Sequence, residues 1–327
     1  MQTSRKLSHA LLALFALVMM SASAFAQGTP VPADSAVSDQ KAGSVLYYNY
    51  YTSDAANPGT RNTRINITNT STTSTTVVHF FFVDRSNCTA ADNFLCLTEN
   101  QTATFTMADN DPGITGFLVA VATNDSGCPI PFNFLIGDEY VKTAAVRANF
   151  GAEAFAALFD TAVCGDADGN AVLVFDGLAA IGSAHYNQAP RVLALDNFAS
   201  PADGNETRLI INRVGGNLGT GSVPSIGGIF LIVYDDIENP FSIQTPGNNC
   251  QVEINLSTVR SSPPLSSIVP AGRSGWVRIR ANNPVAILGV SLNAAGETGF
   301  SGGHNLHKLT LTDTTSVTIP VFPSNCD

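Results

Sequence analysis

Short segments in which apolar and polar residues alternate run along most of the chain. The period of two residues is clearest at 63–69, 102–107, 251–256, 275–280 and 316–321. Because successive side chains of a strand point to opposite faces, each segment predicts a β-strand with one buried and one wet face. The segments 79–84, 116–123 and 228–234 are apolar throughout, which is typical of strands at the centre of a sandwich.

Clusters of Asn, Asp, Gly, Pro, Ser and Thr separate these segments, and such residues favour turns. About seven strands in each half of the chain favour two-sheet sandwiches of immunoglobulin-like type. The single tryptophan, Trp276, does not follow the Cys…Trp…Cys pattern of a true immunoglobulin domain. The predicted fold class is all-β, with two tandem immunoglobulin-like β-sandwich domains.

The order of these segments recurs after about 145 residues, which indicates a divergent internal repeat. The matching pairs are 63–67 with 207–211, 80–84 with 231–235, 102–107 with 275–279, and 116–124 with 285–293. The repeat predicts one β-sandwich over 44–188 and a second over 189–327.

One segment of the first half departs from the strand pattern. Residues 140–163 are rich in alanine and carry Val146, Phe150, Phe155 and Leu158 at helical spacing. This pattern predicts a short helical insertion that covers a sheet edge. Residues 27–43, in contrast, are polar and contain two prolines, so they predict a flexible N-terminal tail.

The first 26 residues have the features of an export signal. Arg5 and Lys6 precede the apolar run 11–20, and Ala24-Phe25-Ala26 fits the small-x-small rule for cleavage before Gln27. This pattern, which is typical of bacterial export, predicts a secreted, cell-surface or periplasmic protein. The apolar run is too short to cross a bilayer, and no later segment has that length, so no membrane insertion is predicted.

Charge excludes several classes of partner. The full chain carries a net charge of −10, and loss of the two basic signal residues lowers it to −12. Only Lys41, Lys142 and Lys308 remain as lysines after cleavage. Because nucleic acids and anionic lipids need clustered basic side chains, neither is a predicted partner, and no basic patch is expected.

The even number of cysteines in an exported chain predicts three disulfides. Six cysteines allow 15 pairings; proximity in sequence favours Cys88–Cys96, Cys128–Cys164 and Cys250–Cys326. No C-x-x-C spacing is present, so neither a redox site nor a zinc knuckle is predicted.

Two patterns resemble parts of catalytic or metal sites. The string 299–303 matches G-x-S-x-G with Ser301 at its centre, but a nucleophile elbow needs a helix after the serine, and a strand pattern follows. His304 and His307 are three residues apart, and on one strand that spacing points the rings to opposite faces. Catalysis and zinc binding are therefore not expected here, and no cofactor is predicted apart from calcium.

Calcium is considered because of one acidic loop. Asp166, Asp168 and Asn170 supply oxygens at alternating positions, like the start of a calcium loop, although Gly177 stands where an EF-hand has glutamate. The alternative is an ordinary polar turn. Both interpretations are compatible with the sequence of this loop.

The aromatic run 47–51 holds the candidate binding residues. Alternation places Tyr48 and Tyr50 on one face of a strand, and exposed tyrosines can stack on sugars or anchor a protein partner. Alternatively, the tyrosines line a sandwich core with wet hydroxyl groups.

These features resemble no particular family. They predict a non-enzymatic exported protein that acts as a binding or adhesion module for an extracellular glycan or protein ligand. The alternatives are a structural subunit that self-associates into a surface layer or filament and, less favoured, a secreted hydrolase that uses Ser301.

Overall fold

The segments in which apolar and polar residues alternate form β-strands in the structure. The computed structural model describes residues 37–294, 296, 301–312 and 314–326; the predicted signal peptide and the G-x-S-x-G residues 299 and 300 lie outside them. The strands of the first half are β1 (Val45–Thr52), β2 (Asn62–Asn69), β3 (Thr76–Asp84), β4 (Ala90–Leu97), β5 (Thr102–Thr106), β6 (Thr115–Thr123), β7 (Leu135–Lys142), β8 (Arg147–Gly151), β9 (Glu153–Phe155), β10 (Asn170–Phe175) and β11 (Ala184–Tyr186).

The second half continues in the same way. Its strands are β12 (Pro190–Ala199), β13 (Glu206–Val214), β14 (Gly216–Asn217), β15 (Ile229–Asp235), β16 (Pro240–Thr245), β17 (Gln251–Asn255), β18 (Ser274–Ala281), β19 (Ala286–Ala294), β20 (Gly302–Asn305), β21 (His307–Leu311) and β22 (Ser316–Pro320). The helical elements are single turns, namely α1 (Met107–Asn110), α2 (Leu265–Ile268) and a 3₁₀ turn at Pro201–Asp203.

The strands form five sheets, so the all-β prediction is confirmed. Sheet I has the order β4-β3-β6-β1-β9, and sheet II has β5-β2-β7-β8. Sheet III has β16-β15-β18-β12-β21, and sheet IV has β17-β13-β19-β20. Sheet V, with the order β11-β10-β22-β14, combines strands from both halves of the chain. Neighbours are antiparallel except β10–β11 and β14–β22.

Sheets III and IV have the same strand orders as sheets I and II. The correspondence begins with β12 in the place of β1 and continues strand by strand to β21 in the place of β9, with β14 omitted. The register shifts agree as well, between Tyr48 and Tyr51 in β1 and between Leu195 and Phe198 in β12. In this order β5 corresponds to β17, and β6 to β18. The predicted matches of 102–107 with 275–279 and of 116–124 with 285–293 are therefore wrong by one strand.

Sheet I is covered on both faces, which explains its wholly apolar strands. Leu46 and Tyr48 of β1 pack in a cluster with Ile65 of sheet II. Val45 and Tyr47, on the opposite face, pack in a cluster with residues of sheet V. All eight residues of β1 are buried as a result.

The second half is built around the cluster between sheets III and IV, and its other contacts reach the first half. Ile210 and Val290, on the outer side of sheet IV, pack against Val141 and Phe150 of sheet II. Nearby, the buried Asn212 amide donates to the Asn49 carbonyl oxygen at 2.7 Å. From residue 37 onward the described chain forms one compact unit.

The predicted helical insertion at 140–163 is wrong. The segment contributes the end of β7, then β8 and β9. Val146, Ala148 and Phe150 are all buried; they are two residues apart, which is the strand period, and β9 pairs with β1 through Phe155 and Val45. The larger apolar residues alone have a helical spacing. The strand period becomes visible only when the small Ala148 is included as a core position.

Residues 37–43, which were predicted to belong to a flexible tail, take part in the fold. Val37 is buried, and isolated bridges join Ser38 to Ala154 and Gly43 to Leu135. The bridge between Ser38 and Ala154 extends sheet I beyond β9. Among the described residues, no helix has the length and apolar character needed to span a membrane.

Three disulfides are present, and one predicted pairing, Cys128–Cys164, is confirmed. The other two bonds are Cys88–Cys250 and Cys96–Cys326, each with a Cα–Cα distance of 5.8 Å. The predicted pairs Cys88–Cys96 and Cys250–Cys326 are therefore wrong. Cys88 lies in the β3–β4 turn and Cys96 at the far end of β4, about 20 Å away at the usual rise of a strand, which exceeds the reach of a disulfide.

Candidate functional site

The predicted binding tyrosines are part of the interior. Tyr48 is fully buried, and its hydroxyl donates to the Asn66 carbonyl oxygen at 3.0 Å. Tyr50 is 7% exposed, and its backbone N–H donates to Glu139 Oε1 at 3.0 Å. Burial raises the pKa of the Tyr48 phenol and of the Glu139 carboxyl well above their ordinary values. The prediction of an exposed tyrosine pair is wrong because sheet I is covered on both faces.

The acidic loop forms a turn that satisfies itself. Asp166 Oδ1 accepts hydrogen bonds from the backbone N–H groups of Asp168 and Asn170, both at 3.0 Å. The Asn170 side-chain amide donates to the Asp168 carbonyl oxygen at 3.2 Å. Within the described ranges, no group of three or more His, Cys, Asp or Glu side chains is arranged to hold a metal ion. This geometry matches the polar-turn interpretation of the loop.

His304 and His307 lie on the same side of the fold, contrary to the expectation from their spacing. Their Nε2 atoms are 3.2 Å and 3.6 Å from the two carboxylate oxygens of Asp196. The reason is that β20 ends at Asn305 and β21 begins at His307, so the two rings belong to different strands. Partial burial acts to raise the Asp196 pKa, but the combined interactions with His304 and His307 outweigh it, so the pKa is lowered.

In the described residues, no solvent-accessible nucleophile contacts this histidine pair. Ser291 Oγ lies 3.4 Å from His304 Nδ1, but Ser291 is completely buried. Ser301 is exposed, and the strand β20 follows it, whereas a nucleophile elbow needs a helix at that point.

A polar cavity of about 590 Å³ lies where the two halves meet. Its arginines Arg85 and Arg208 are paired with carboxylates. Arg85 Nη1 is 2.6 Å from Glu253 Oε2, and Arg208 lies 3.5 Å from the other oxygen of Glu253 and also pairs with Glu206. The Asp84 carboxylate accepts from the Ser86 backbone N–H. These groups hold the junction together and leave little unsatisfied charge for a ligand.

A different surface combines exposure with specific chemistry: the outer side of sheet III. The side chains of Leu231, Val233, Val277 and Ile279 point into the core. Because side chains alternate along a strand, the residues between them on β15 and β18 face outward. We call this outer surface the open face; its central cross-strand pairs are Phe230 with Arg280, Ile232 with Arg278, and Tyr234 with Trp276.

The side chains of the open face are ordered by contacts with one another. The rings of Tyr234 and Trp276 are stacked with centroids 4.3 Å apart and an interplanar angle of 5°. The Arg280 guanidinium lies 4.7 Å from the centroid of the Phe230 ring. Offset stacking and cation–π contact each stabilise such arrangements by about 0.5–1.5 kcal/mol at exposed sites.

At the Arg280 end, the open face leads into a cavity of about 330 Å³. We call it the arginine pocket; its polar lining is Arg191, Arg278, Arg280, Asn282, Asn283 and Thr310. No acidic side chain lines it, and none of the three arginines forms an ion pair within the described residues. The expectation that this acidic chain has no basic patch is therefore wrong at this position.

Sequence reasoning missed this surface, although a signal was present. The outward positions of the alternating segment 275–280 are Trp276, Arg278 and Arg280, where an ordinary wet face carries small polar residues. The matching outward positions of β15 are Phe230, Ile232 and Tyr234. Because these residues are aromatic or apolar, the sequence of the strand is typical of one that is buried on both faces. The contribution of Arg191 could not be found in this way, because it depends on the pairing of β12 with β18.

Comparisons with known proteins add little. No protein-family model matches the chain, and no curated protein matches it significantly. Among solved structures, it is weakly similar to the crystal structure of tripeptidyl peptidase 2, with 7% identity and a TM-score of 0.18. The match covers 88% of this chain and 29% of that chain, and similarity at this level carries no argument about fold or activity.

Proposed function

We propose that this protein is an exported, non-enzymatic binding or adhesion module that holds an extracellular glycan or protein ligand against the open face of sheet III. The observation that carries the proposal is the row of half-buried aromatic side chains on that face, with Tyr234 stacked on Trp276. Aromatic side chains offer a large contact area with few rotatable bonds, and they are enriched at recognition surfaces.

Export is part of the proposal. Three disulfides fit an extracellular or periplasmic protein, because such bonds persist in oxidising compartments. The export signal predicted over 1–26 agrees with this location.

We also infer that the chain arose by duplication of one β-sandwich, with immunoglobulin-like packing in each half. The matching strand orders and the matching register shifts in β1 and β12 support this inference. In the first half, sheet V covers sheet I, whereas the equivalent sheet III keeps an open face. On this view the first sandwich supports the second, and the second makes the contact.

The charged groups outside the open face favour binding over catalysis. The arginines and carboxylates of the junction cavity pair with one another, and Ser291 beside His304 is buried. Catalysis needs convergent titratable groups that remain accessible to a substrate.

The test uses the position of the single tryptophan. The oxidised protein is passed over immobilised polysaccharides and matrix proteins, and acrylamide quenching of Trp276 is measured with each retained ligand. We expect bound ligand to protect Trp276, and Tyr234→Ala to weaken retention by about tenfold or more, as at other aromatic contact sites. Tyr140→Ala is the matched control, since Tyr140 is a half-buried tyrosine on the outer face of sheet II, beside Arg64. Equal effects of the two variants, or ligands that leave Trp276 quenching unchanged, would refute the proposal.

A second candidate function is self-assembly, which one observation favours. Leu178 and Ile181, in the loop between β10 and β11, are 63% and 87% exposed, and large apolar side chains so close together are typical of association sites. If the protein is a structural subunit, light scattering should detect multimers that Ile181→Asp dissociates. A monomer at every concentration would exclude this candidate.

A further inference from the structure

We propose that the arginine pocket binds the acidic substituent, a carboxylate or a sulfate, of a sugar polymer that lies along the open face. The inference rests on the proposed function and adds the ligand class. It is carried by the three arginines of the pocket together with the aromatic rings beside them.

The lining of the pocket is selective for anions. Three guanidinium groups, two side-chain amides and one hydroxyl face it, and among the described residues no acidic side chain lines it. Guanidinium stays charged at every accessible pH, and its planar donors match the two oxygens of a carboxylate or sulfate. Three like charges repel one another, and a bound anion would remove that repulsion. In a chain of net charge −10, this local excess of positive charge favours a compact acidic group.

The size of the pocket fits one substituted sugar. Its volume of about 330 Å³ is at the lower end of the 300–1,000 Å³ that is usual for ligand pockets.

The surroundings of Arg280 favour directed hydrogen bonds. Its guanidinium carbon lies over the Phe230 ring, 4.7 Å from the centroid, and this contact uses none of the N–H donors of the group. The contact with the ring also restricts the rotamers of a long side chain, so less entropy is lost when an anion binds.

The spacing along β18 explains why the ligand is a polymer. Trp276 and Arg280 are four residues apart on one strand, which corresponds to about 14 Å at 3.4 Å per residue. A single sugar cannot reach both, whereas an extended chain can stack on the aromatic pair and place its acidic group in the pocket.

The test is a titration that monitors Trp276 fluorescence with three soluble polymers: polygalacturonate, dextran sulfate and neutral dextran. We expect one or both acidic polymers to bind, with neutral dextran at least about tenfold weaker, because charge-assisted hydrogen bonds are lost. The acidic polymer that binds identifies the substituent. Added salt should weaken binding, since the contacts are partly exposed.

Matched variants separate a built site from general charge. The double variant Arg278→Gln, Arg280→Gln should weaken acidic binding by about tenfold or more. The control is Arg147→Gln, Arg260→Gln, which removes the same charge from exposed positions elsewhere and should change binding by less than about twofold. Because all four side chains are exposed, the variants should fold, and circular dichroism checks this.

The outcomes distinguish this inference from the proposed function. If acidic and neutral polymers bind equally and Tyr234→Ala abolishes both, the open face binds glycans but the arginine pocket does not select anions. Equal losses in the two double variants, or no effect of either, also overturn the pocket assignment. If no polymer changes Trp276 fluorescence, the acidic-glycan ligand is excluded, and a protein ligand on the open face becomes the subject of the retention test.

Discussion

Glu153 provides a quantitative test of how the two halves of the chain are joined. The residue lies on β9 and is completely buried. Lys308 Nζ is 2.6 Å from its Oε2 atom, and the Asn305 side-chain amide donates to Oε1 at 3.0 Å. Lys308 belongs to β21, at the edge of sheet III. The carboxyl therefore connects an edge of sheet I to an edge of sheet III.

The energetic effect of this carboxyl depends on pH. Burial raises the pKa of Glu153 from 4.5 to about 7, although the Lys308 ammonium opposes the shift. The folded protein therefore holds the proton more tightly than the unfolded chain does. The resulting stabilisation is fully present below about pH 4.5 and is lost as the pH rises through 7. At 1.36 kcal/mol per pKa unit, the loss is about 3 kcal/mol.

Glu153→Gln removes the titration while keeping the shape of the side chain. Any cost of placing an amide beside Lys308 and Asn305 is independent of pH. The informative quantity is therefore how the difference in unfolding free energy between variant and wild type changes with pH. From near pH 4.5 to near pH 8, wild type should lose about 3 kcal/mol relative to the variant. For a chain of this length, that free energy corresponds to roughly 5 °C in Tm.

The assay is thermal unfolding of the oxidised proteins at a series of pH values. Glu99→Gln serves as the control, because it removes a carboxylate from an exposed turn, and we expect a much flatter difference. A pH-independent difference for Glu153→Gln would refute the reasoning, since it would mean that the buried carboxyl titrates as it does in the unfolded chain.

Three further predictions concern the cysteines, the buried tyrosine and the acidic loop. Replacing both Cys88 and Cys250 by alanine opens a bond with a sequence separation of 162 and should reduce stability by about 2–5 kcal/mol, measured as a fall in Tm. Tyr48→Phe should cost about 1 kcal/mol, because the hydrogen bond to Asn66 is lost, while ligand retention stays unchanged. EDTA should leave Tm unchanged, because turn amides occupy Asp166 Oδ1; a fall would support the calcium interpretation.

The parts of the fold that could be predicted are those set by local alternation. Segments such as 63–69 and 316–321 have the two-residue period because one face of the strand is buried. In residues 140–163 the local pattern does not determine the structure. Alanines fit either a helix or a covered strand, and the pairing of Phe155 with Val45, which decides between them, is a long-range contact.

The disulfides illustrate the same distinction between local and distant information. Cys128 and Cys164 are 36 residues apart and were found by proximity. Cys96 and Cys326 are 230 residues apart, and they meet only because the C-terminal segment returns to sheet I. Proximity in sequence cannot anticipate such a contact, since it depends on how the sheets stack.

The stacking of sheets also explains why the binding residues were predicted on the wrong strand. Tyr48 in β1 and Tyr234 in β15 both belong to strands rich in apolar residues, and sequence alone assigns them similar environments. Sheet V covers the first half, so Tyr48 and its neighbours lie between two layers. No equivalent layer is described over sheet III, so the same strand chemistry becomes a surface there. The outward arginines of β18, Arg278 and Arg280, are the sequence evidence for this difference, because two guanidinium groups without an ion-pair partner among the described residues are compatible with an open face and not with a covered one.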